Sequence, residues 1–103
     1  DGTVKIWRLA DGGRSSTLLH TIPAPADAGW LEGVAINDAG VMATVYDDGV
    51  LRLWTQQGKA LAQLPLATNH LHLFSVCFAP DQRSLRAIAQ DGTVSVVALP
   101  RTW

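Results

Sequence analysis

Apolar and polar residues alternate in short runs along this chain, and a cluster of turn-forming residues separates each run from the next. Runs rich in aliphatic, β-branched and aromatic residues are typical of β-strands, because these side chains pack well on a pleated surface. No run is long enough, or has the period, to indicate an amphipathic helix. The pattern predicts nine strands, at 3–9, 17–22, 33–37, 41–46, 50–55, 60–66, 75–79, 85–90 and directly after Asp91-Gly92.

One phrase occurs three times, as DGTVKIW from Asp1, DGVLRLW from Asp48 and DGTVSVV from Asp91, so the copies start 47 and 43 residues apart. Asp-Gly beside an apolar run is a hairpin signal, since Gly adopts a positive φ at little cost. Repeats of roughly 20 to 50 residues occur in solenoids, propellers and arrays. Short strands separated by regular turns predict an all-β sandwich, barrel or propeller.

The predicted strands carry apolar residues on both faces. After Asp48-Gly49, Leu51 and Leu53 point to one side of the strand, while Val50 and Trp54 point to the other, because successive side chains alternate. Sheets that bury both faces fit a stack of small sheets better than a single hairpin covered on one side.

These features together resemble WD40-repeat β-propellers. The resemblance is carried by DGTVKIW, by LLHTI followed by W-LEGVAINDAG, by VMATVYDDGVLRLW and by SVCFAPDQRSLRAIAQDGTVSVV, so it spans essentially the whole chain. In that family each blade is a four-stranded antiparallel sheet, with strands a to d running outward from the ring axis. The resemblance implies about two and a quarter blades: strands c and d at 1–22, a complete blade at 33–66, and strands a to c at 75–103.

A closed propeller needs roughly four to eight blades, so the resemblance implies a portion of a larger ring. A chain that ends after strand c resembles the C-terminal end of such a ring. Repeat units of this kind are stabilised mainly by their neighbours. We therefore expect the remaining blades, or further copies of the chain, to pack against this one.

The polar residues of the WD40 repeat are only partly present. In the family a tetrad joins a His, a Ser or Thr of strand b, the Trp of strand c and the turn Asp. The last copy has Ala87 and Val97 instead of the polar partners, and His70 lies near the His position. No complete tetrad is expected, and the Trp-Asp pair itself is absent. The resemblance assigns these structural positions to Asp1, Asp48, Asp91, Thr44, Trp7 and Trp54.

Composition and charge argue for neither nucleic acid nor a membrane surface as a partner. The formal net charge is −1, from 8 basic and 9 acidic side chains. Such a balance creates no field that would attract nucleic acid or an anionic membrane surface, so neither is predicted as a partner. No apolar run approaches the roughly 18 residues of a membrane span. The single cysteine, Cys77, excludes an internal disulfide and is expected to be a small buried apolar residue.

No group of residues predicts catalysis or a bound metal. His70 and His72 would share a face of an extended segment, but no nearby Cys, Asp or Glu completes the set that zinc requires, so they are interpreted as loop histidines. Asp47 and Asp48 form a carboxylate pair, although Asp48 belongs to the hairpin turn. The turn DGGRSS is not followed by a predicted helix, which excludes a phosphate loop. We therefore expect no cofactor, no metal and no enzymatic activity.

The resemblance also indicates a surface. Partners of WD40 propellers often dock where strand a begins and at the residue before the turn Asp. An exposed aromatic side chain at such a position could anchor an interface. The alternative for Trp30 and Phe74 is that they pack between blades. Carried onto this chain, the partner-binding positions are Trp30, Glu32 and Asp47 in the complete blade and His72, Phe74 and Gln90 in the last one.

The function predicted from the sequence is a protein-interaction scaffold, with a cytoplasmic location, whose loops are presented to a protein partner. One alternative is the sensor or regulatory propeller of a multidomain signalling enzyme with its catalytic domain outside this chain. Another is a propeller that binds a small ligand itself. The coding sequence before Asp1 discriminates the first two, because further blades favour a scaffold and a catalytic domain favours the enzyme.

Overall fold

The computed structural model describes residues 2–66, 73–101 and 103, and for Leu73 and Phe74 it describes the backbone. Within this part the one helical element is a 3₁₀ turn at Asp11–Gly13, and the all-β prediction is confirmed. Nine strands are present among the described residues: β1 (Val4–Ala10), β2 (Ser15–Ile22), β3 (Leu31–Ile36), β4 (Met42–Tyr46), β5 (Val50–Trp54), β6 (Ala60–Pro65), β7 (Leu73–Phe78), β8 (Ser84–Ala89) and β9 (Val94–Ala98).

The strands form three antiparallel sheets in sequence order. The first sheet is β1-β2, the second is β3-β4-β5-β6 and the third is β7-β8-β9. Neighbouring strands pair because a short turn joins them. In three of these turns an Asp carboxylate accepts the backbone N–H two residues later, which satisfies that donor: Asp48 accepts from Val50 at 3.1 Å, Asp81 from Arg83 at 2.9 Å, and Asp91 from Thr93 at 2.9 Å.

Strands β3 and β7 begin earlier than the sequence pattern predicts, at Leu31 and Leu73. The reason is the same in both. The pairing register of β3 with β4 shifts between Leu31 and Gly33, and that of β7 with β8 shifts between Leu73 and Ser75. Each strand therefore continues through a β-bulge, which interrupts the alternation on which a sequence-based boundary depends.

A shared hydrophobic core joins the second and third sheets, with β3 and β4 lying against β7. Side chains from both sheets are fully buried there, including Leu51 and Leu85. Burial of apolar surface stabilises by about 25 cal/mol per Å², so this interface is the main source of stability. The buried members of the core are Val41, Ala43, Val45, Leu51, Leu53, Val76, Leu85, Ala87, Ala89 and Leu99.

Gly33 allows these two sheets to approach closely. A Cβ atom at position 33 would lie 3.2 Å from Cγ2 of Val45 and 3.4 Å from both Cα of Ser75 and the backbone N of Val76. Any larger side chain would push on the backbone of β7, which cannot move aside as a flexible side chain can. The separation of the two sheets therefore depends on a glycine at this point.

Asn37 links the second and third sheets at the end where the β3–β4 turn lies. Its side chain is buried, with Nδ2 donating to the backbone O of Gln82 at 3.0 Å. Its Oδ1 accepts the backbone N–H groups of Ala39 and Val41 at 3.0 and 2.9 Å. The backbone N of Asp38 donates to Oε1 of Gln82 at 2.9 Å. One amide therefore holds a turn of the second sheet and ties it to a turn of the third.

Arg83 holds the chain after β9 at this same end. Its two terminal nitrogens donate to the backbone O atoms of Trp103 and Pro100, at 2.9 and 2.7 Å. The Trp103 side chain packs against the core shared by the second and third sheets. The segment after the last strand is thus folded back across the two sheets.

The first sheet covers only part of the other face of the second sheet. Val4 and Ile22 form a small core with Met42. Met42 is buried, whereas Ile36, its register partner in β3, is 55% exposed. Val34 in β3 is likewise exposed although Thr44 opposite it is buried. Burial on this face therefore ends between β4 and β3.

The third sheet is buried on one face in the described structure. Val76, Ala87 and Leu85 point into the core, and the opposite face is exposed. Cys77 lies on that exposed face, so the expectation of a buried cysteine was wrong. The strand was predicted correctly, but whether a second layer covers its outer face does not follow from the strand's own sequence.

Candidate functional site

Four of the predicted partner-binding residues lie at one end of the second and third sheets, which we call the upper end. Leu31 pairs with Tyr46 at the start of β3, so Trp30, before β3, and Asp47, after β4, are adjacent. Leu73 pairs with Ala89 in the same way, which places Gln90 beside the start of β7. Because β3 lies against β7, the topology brings Trp30, Glu32, Asp47 and Gln90 to the same end.

Trp30 is the most exposed large apolar residue among those described, with 76% of its surface exposed. Its backbone is nevertheless held on both sides. The backbone N of Trp30 donates to Oδ2 of Asp47 at 3.2 Å, and its O accepts the backbone N–H of Asp47 at 3.0 Å. The O of Ala28 accepts from Asp48 at 3.1 Å. An exposed aromatic side chain thus stands on a fixed piece of backbone in the described structure.

Gly29 makes this arrangement possible. Its φ of +80° lies in the left-handed region, and a Cβ atom there would lie 2.8 Å from Cβ of Asp47. We expect Gly29→Ala to lower the free energy of unfolding by about 2 kcal/mol, from backbone strain and from the displaced Asp47. Urea denaturation measures the change.

Gly12→Ala is the matched control for that substitution. Gly12 also has a positive φ, +67°, but nothing lies within 4 Å of its Cβ position. Only the strain of the left-handed conformation applies there, about 1 kcal/mol. If Gly29→Ala and Gly12→Ala lowered the free energy of unfolding equally, a close contact between Gly29 and Asp47 would be contradicted.

Glu32 is the bulged residue of β3. Leu31 pairs with Tyr46 and Gly33 with Val45, so Glu32 is the extra residue on its strand, and it is exposed. Phe74 holds the equivalent register position in β7, between the paired Leu73 and Ser75. A bulge redirects the side chain of the extra residue and is common beside functional sites. The side chain of Phe74, like the whole of His72, lies outside the described residues.

Beneath this surface, Arg52 and Tyr46 form a cluster with Asp48 that the sequence did not indicate. The Arg52 guanidinium is buried and contacts both carboxylate oxygens of Asp48, at 2.7 and 3.3 Å. Its Cζ lies 5.5 Å from the centroid of the Tyr46 ring, and the Tyr46 hydroxyl donates to the backbone O of Gly2. Burial raises the pKa of Tyr46, with Arg52 lowering it and Asp48 raising it further.

The WD40-like tetrad positions have a different geometry in each sheet. In the second sheet Nε1 of Trp54 donates to Oγ1 of Thr44 at 3.1 Å, while Asp48 is bound by Arg52. In the third sheet hydrogen bonds from the Thr93 hydroxyl and backbone N–H lower the pKa of Asp91. Trp7 in the first sheet is 50% exposed. Asp1, like His70, lies outside the described residues.

Two of the clefts in the described part of the chain lie away from the upper end. One, of about 320 Å³, lies between the turns at 39–41 and 55–57 and Trp103. The other, of about 460 Å³, separates Ile6 and Trp7 of the first sheet from Ile36 of the second. No three His, Cys, Asp or Glu side chains come together as a metal site in residues 2–66, 73–101 and 103. Over the same residues no helix is long and apolar enough to cross a membrane.

Comparison with known proteins identifies the fold. Coronin-7 of Rattus norvegicus is 29% identical over 101 residues, a match that covers 93% of this chain and 11% of coronin-7. The β-propeller domain of Cps50 (Swd1) from Myceliophteria thermophila superposes with a TM-score of 0.83 at 14% identity, over 97% of this chain and 35% of that one. The computationally designed protein Ika4 superposes with a TM-score of 0.75 at 21% identity, over 97% and 56%.

No protein-family model matches the chain. The chain spans 11% of the length of the curated relative, so it corresponds to a small part of that protein. The structural matches cover nearly all of the chain, and they agree with its three consecutive antiparallel sheets. The fold is that of WD40-like β-propeller blades, as the resemblance predicted.

Proposed function

We propose that this chain acts as a protein-interaction scaffold, in which propeller blades hold the upper end rigid and present it to a protein partner. The observation that carries the proposal is Trp30, a tryptophan that is 76% exposed on a backbone hydrogen-bonded to Asp47. A large exposed aromatic with little backbone freedom loses little entropy on binding, which is the property of an interface anchor. The proposal assigns binding rather than catalysis, and the cytoplasmic location stays a prediction.

Two apolar faces support a further contact with blades beyond these three sheets, or with a second copy. Val34 and Ile36 are exposed beside the first sheet, and Ile88, Val94 and Val96 are exposed on the outer face of the third. In stacked repeats each unit buries such faces against the next. We include this packing in the proposal, since it would hold the upper end in a continuous ring surface.

The test is site-specific photo-cross-linking followed by titration of the purified partner. A photoreactive phenylalanine analogue at position 30 is expected to capture a discrete protein that the same analogue at position 7 does not capture. Trp30→Ala is then expected to weaken binding of that purified partner about thirtyfold, as loss of an interface anchor does. Isothermal calorimetry measures the change.

Trp7→Ala is the matched control, because Trp7 is also a strand-region tryptophan and is 50% exposed. Its substitution is expected to change the affinity by less than about threefold, as for a residue outside the contact. If the partner binds the Trp30→Ala variant as tightly as the unaltered chain, Trp30 is not part of the binding surface, and the proposed surface is wrong.

A further inference from the structure

We propose that Asp11 is a site of covalent modification, at which the bond to Gly12 rearranges through a cyclic succinimide to an isoaspartyl linkage. The reaction needs an aspartyl side chain, the backbone N of the next residue and water. The pair Asp-Gly occurs four times in the chain, at Asp1, Asp11, Asp48 and Asp91. Asp1 lies outside the described residues, and the structure distinguishes the other three. This modification is independent of the proposed function.

The chemistry defines what a reactive pair requires. The Gly12 N forms a bond to Cγ of Asp11, and the carboxyl hydroxyl and the amide proton leave as water. Water then adds to the backbone carbonyl carbon of Asp11 and breaks its bond to Gly12. The chain now runs through Cβ and Cγ of Asp11, and the former backbone carbonyl is a free carboxylate. A following glycine leaves the attacking N unhindered because it has no Cβ.

The attacking N–H is held in two of the three turns. The backbone N of Gly49 donates to the O of Tyr46 at 3.1 Å, and that of Gly92 donates to the O of Ala89 at 3.0 Å. The N–H of Gly12 makes no hydrogen bond to any part of the chain that the structure describes. Attack at Gly49 or Gly92 therefore requires a hydrogen bond to break first, whereas attack at Gly12 does not.

The carboxyl groups of Asp48 and Asp91 are also held. The Arg52 guanidinium donates to both oxygens of Asp48, at 2.7 and 3.3 Å. Asp91 accepts the backbone N–H of Thr93 at 2.9 Å, and the hydrogen bonds from Thr93 lower the pKa of Asp91. The neutral acid, which is the form that loses water, is therefore rarer at Asp91. Both side chains must give up charge-assisted hydrogen bonds before they react, and these are stronger than neutral ones.

Asp11 is held much less firmly. Among the described residues its side chain accepts one hydrogen bond, from the Ser15 hydroxyl at 3.5 Å, which is near the limit for such a bond. Its φ of +54° lies in the left-handed region, which strains a residue that has a side chain. Nothing lies within 4 Å of the Cβ positions of Gly12 and Gly13, so the turn can change its backbone angles without a collision. Of the three described Asp-Gly pairs, the one at Asp11 thus combines an unbonded N–H, a weakly held carboxyl and an open turn.

The rearrangement would alter the β1–β2 hairpin. It inserts one methylene carbon into the backbone of the turn that follows Ala10 and precedes its register partner Ser15. The first sheet packs on the second through a small core of Val4, Ile22 and Met42. We therefore expect the modification to loosen the first sheet and to leave the core between the second and third sheets intact.

The test is incubation of the folded 103-residue chain in neutral ¹⁸O-labelled water, followed by trypsin digestion in ordinary water and mass spectrometry. Hydrolysis of a succinimide places one ¹⁸O atom in the product, whether aspartate or isoaspartate forms. Cleavage after Lys and Arg releases peptides 9–14 and 87–101, which contain Asp11 and Asp91 as their only aspartates. Peptide 9–14 is expected to gain the label at least about tenfold faster, because two hydrogen bonds must break at Asp91-Gly92. A second chromatographic form of 9–14 should accumulate with the label.

Unfolding in urea is the control for local sequence. It removes the folded contacts, so the two peptides are expected to gain the label at rates within about threefold of each other. Gly12→Ala is expected to slow the labelling of 9–14 severalfold, because a methyl group then lies beside the attacking N. Thr93→Val keeps the side-chain shape but removes the hydroxyl, and it is expected to speed the labelling of 87–101 severalfold.

Three outcomes would overturn the proposal. The first is equal labelling of 9–14 and 87–101 in the folded chain, and the second is a lack of label in 9–14 of the folded chain when urea permits it. The third is a tenfold difference that persists in urea, since local sequence rather than the fold would then set the rates. None of these outcomes bears on the proposed function, which is tested by the binding of Trp30 variants.

Discussion

Replacing Leu85 with Ala is expected to lower the free energy of unfolding by about 3 to 4 kcal/mol. Leu85 lies in β8 and is fully buried in the core between the second and third sheets. Its truncation removes buried apolar surface and leaves a cavity whose walls belong to two different sheets, so neither sheet can close it alone. Urea denaturation followed by circular dichroism measures the loss.

Leu9→Ala is the control for that measurement, since Leu9 is a β-strand leucine with 66% of its surface exposed. It is expected to change the free energy of unfolding by no more than about 0.5 kcal/mol. The slope of the transition should be the same in both variants, because the second and third sheets share one core and unfold together. A loss at Leu85 as small as that at Leu9 would show that the two sheets are not stabilised by this interface.

Replacing Asn37 with Ala is expected to lower the free energy of unfolding by about 3 kcal/mol. The amide of Asn37 makes three hydrogen bonds, two accepted from Ala39 and Val41 and one donated to Gln82. Alanine leaves the buried Val41 N–H and the partly buried Gln82 O without that partner, and a buried group left unsatisfied costs more than the bond contributes. Urea denaturation gives the total effect.

Hydrogen exchange locates the effect of that substitution. The amide of Val41 is expected to lose protection in Asn37→Ala, while amides paired within β4 and β5 keep theirs. Asp38→Ala is the matched neighbour: Asp38 is exposed and its bond to Gln82 is made by the backbone, so its side chain is dispensable. Unchanged protection of Val41 in Asn37→Ala would rule out the amide as the group that holds this turn.

Much of the fold was predictable because it is local. Nine strands were predicted and nine are present among the described residues, and turn-forming residues mark the hairpins that join neighbouring strands within a sheet. The Asp-Gly turn before β5 is an example, since the Asp48 carboxylate binds the Val50 N–H only two residues away. Interactions of this range are visible in any short window of sequence. The bulges at Glu32 and Phe74 were missed, because a bulge depends on pairing with a distant strand.

The candidate surface was predictable only as a set of positions. The resemblance indicated Trp30 and Asp47, and the structure adds that the two are hydrogen-bonded and that Trp30 is exposed. Arg52 was not predicted as the group bound to Asp48, since an arginine at an alternating strand position reads equally well as a solvent-facing residue. Its burial against Asp48 and Tyr46 depends on tertiary packing, which no local pattern contains.

The sequence by itself determined the strands, the hairpin turns and the antiparallel order of the sheets, because each depends on residues close together in the chain. Only the tertiary structure decided which faces are covered, so that Cys77 and Ile36 are exposed while Met42 and Arg52 are buried. It also determined the hydrogen bond between Asn37 and Gln82, which are 45 residues apart. Burial and long-range hydrogen bonds are properties of a pair of surfaces, and one strand's sequence specifies only its own side of such a pair.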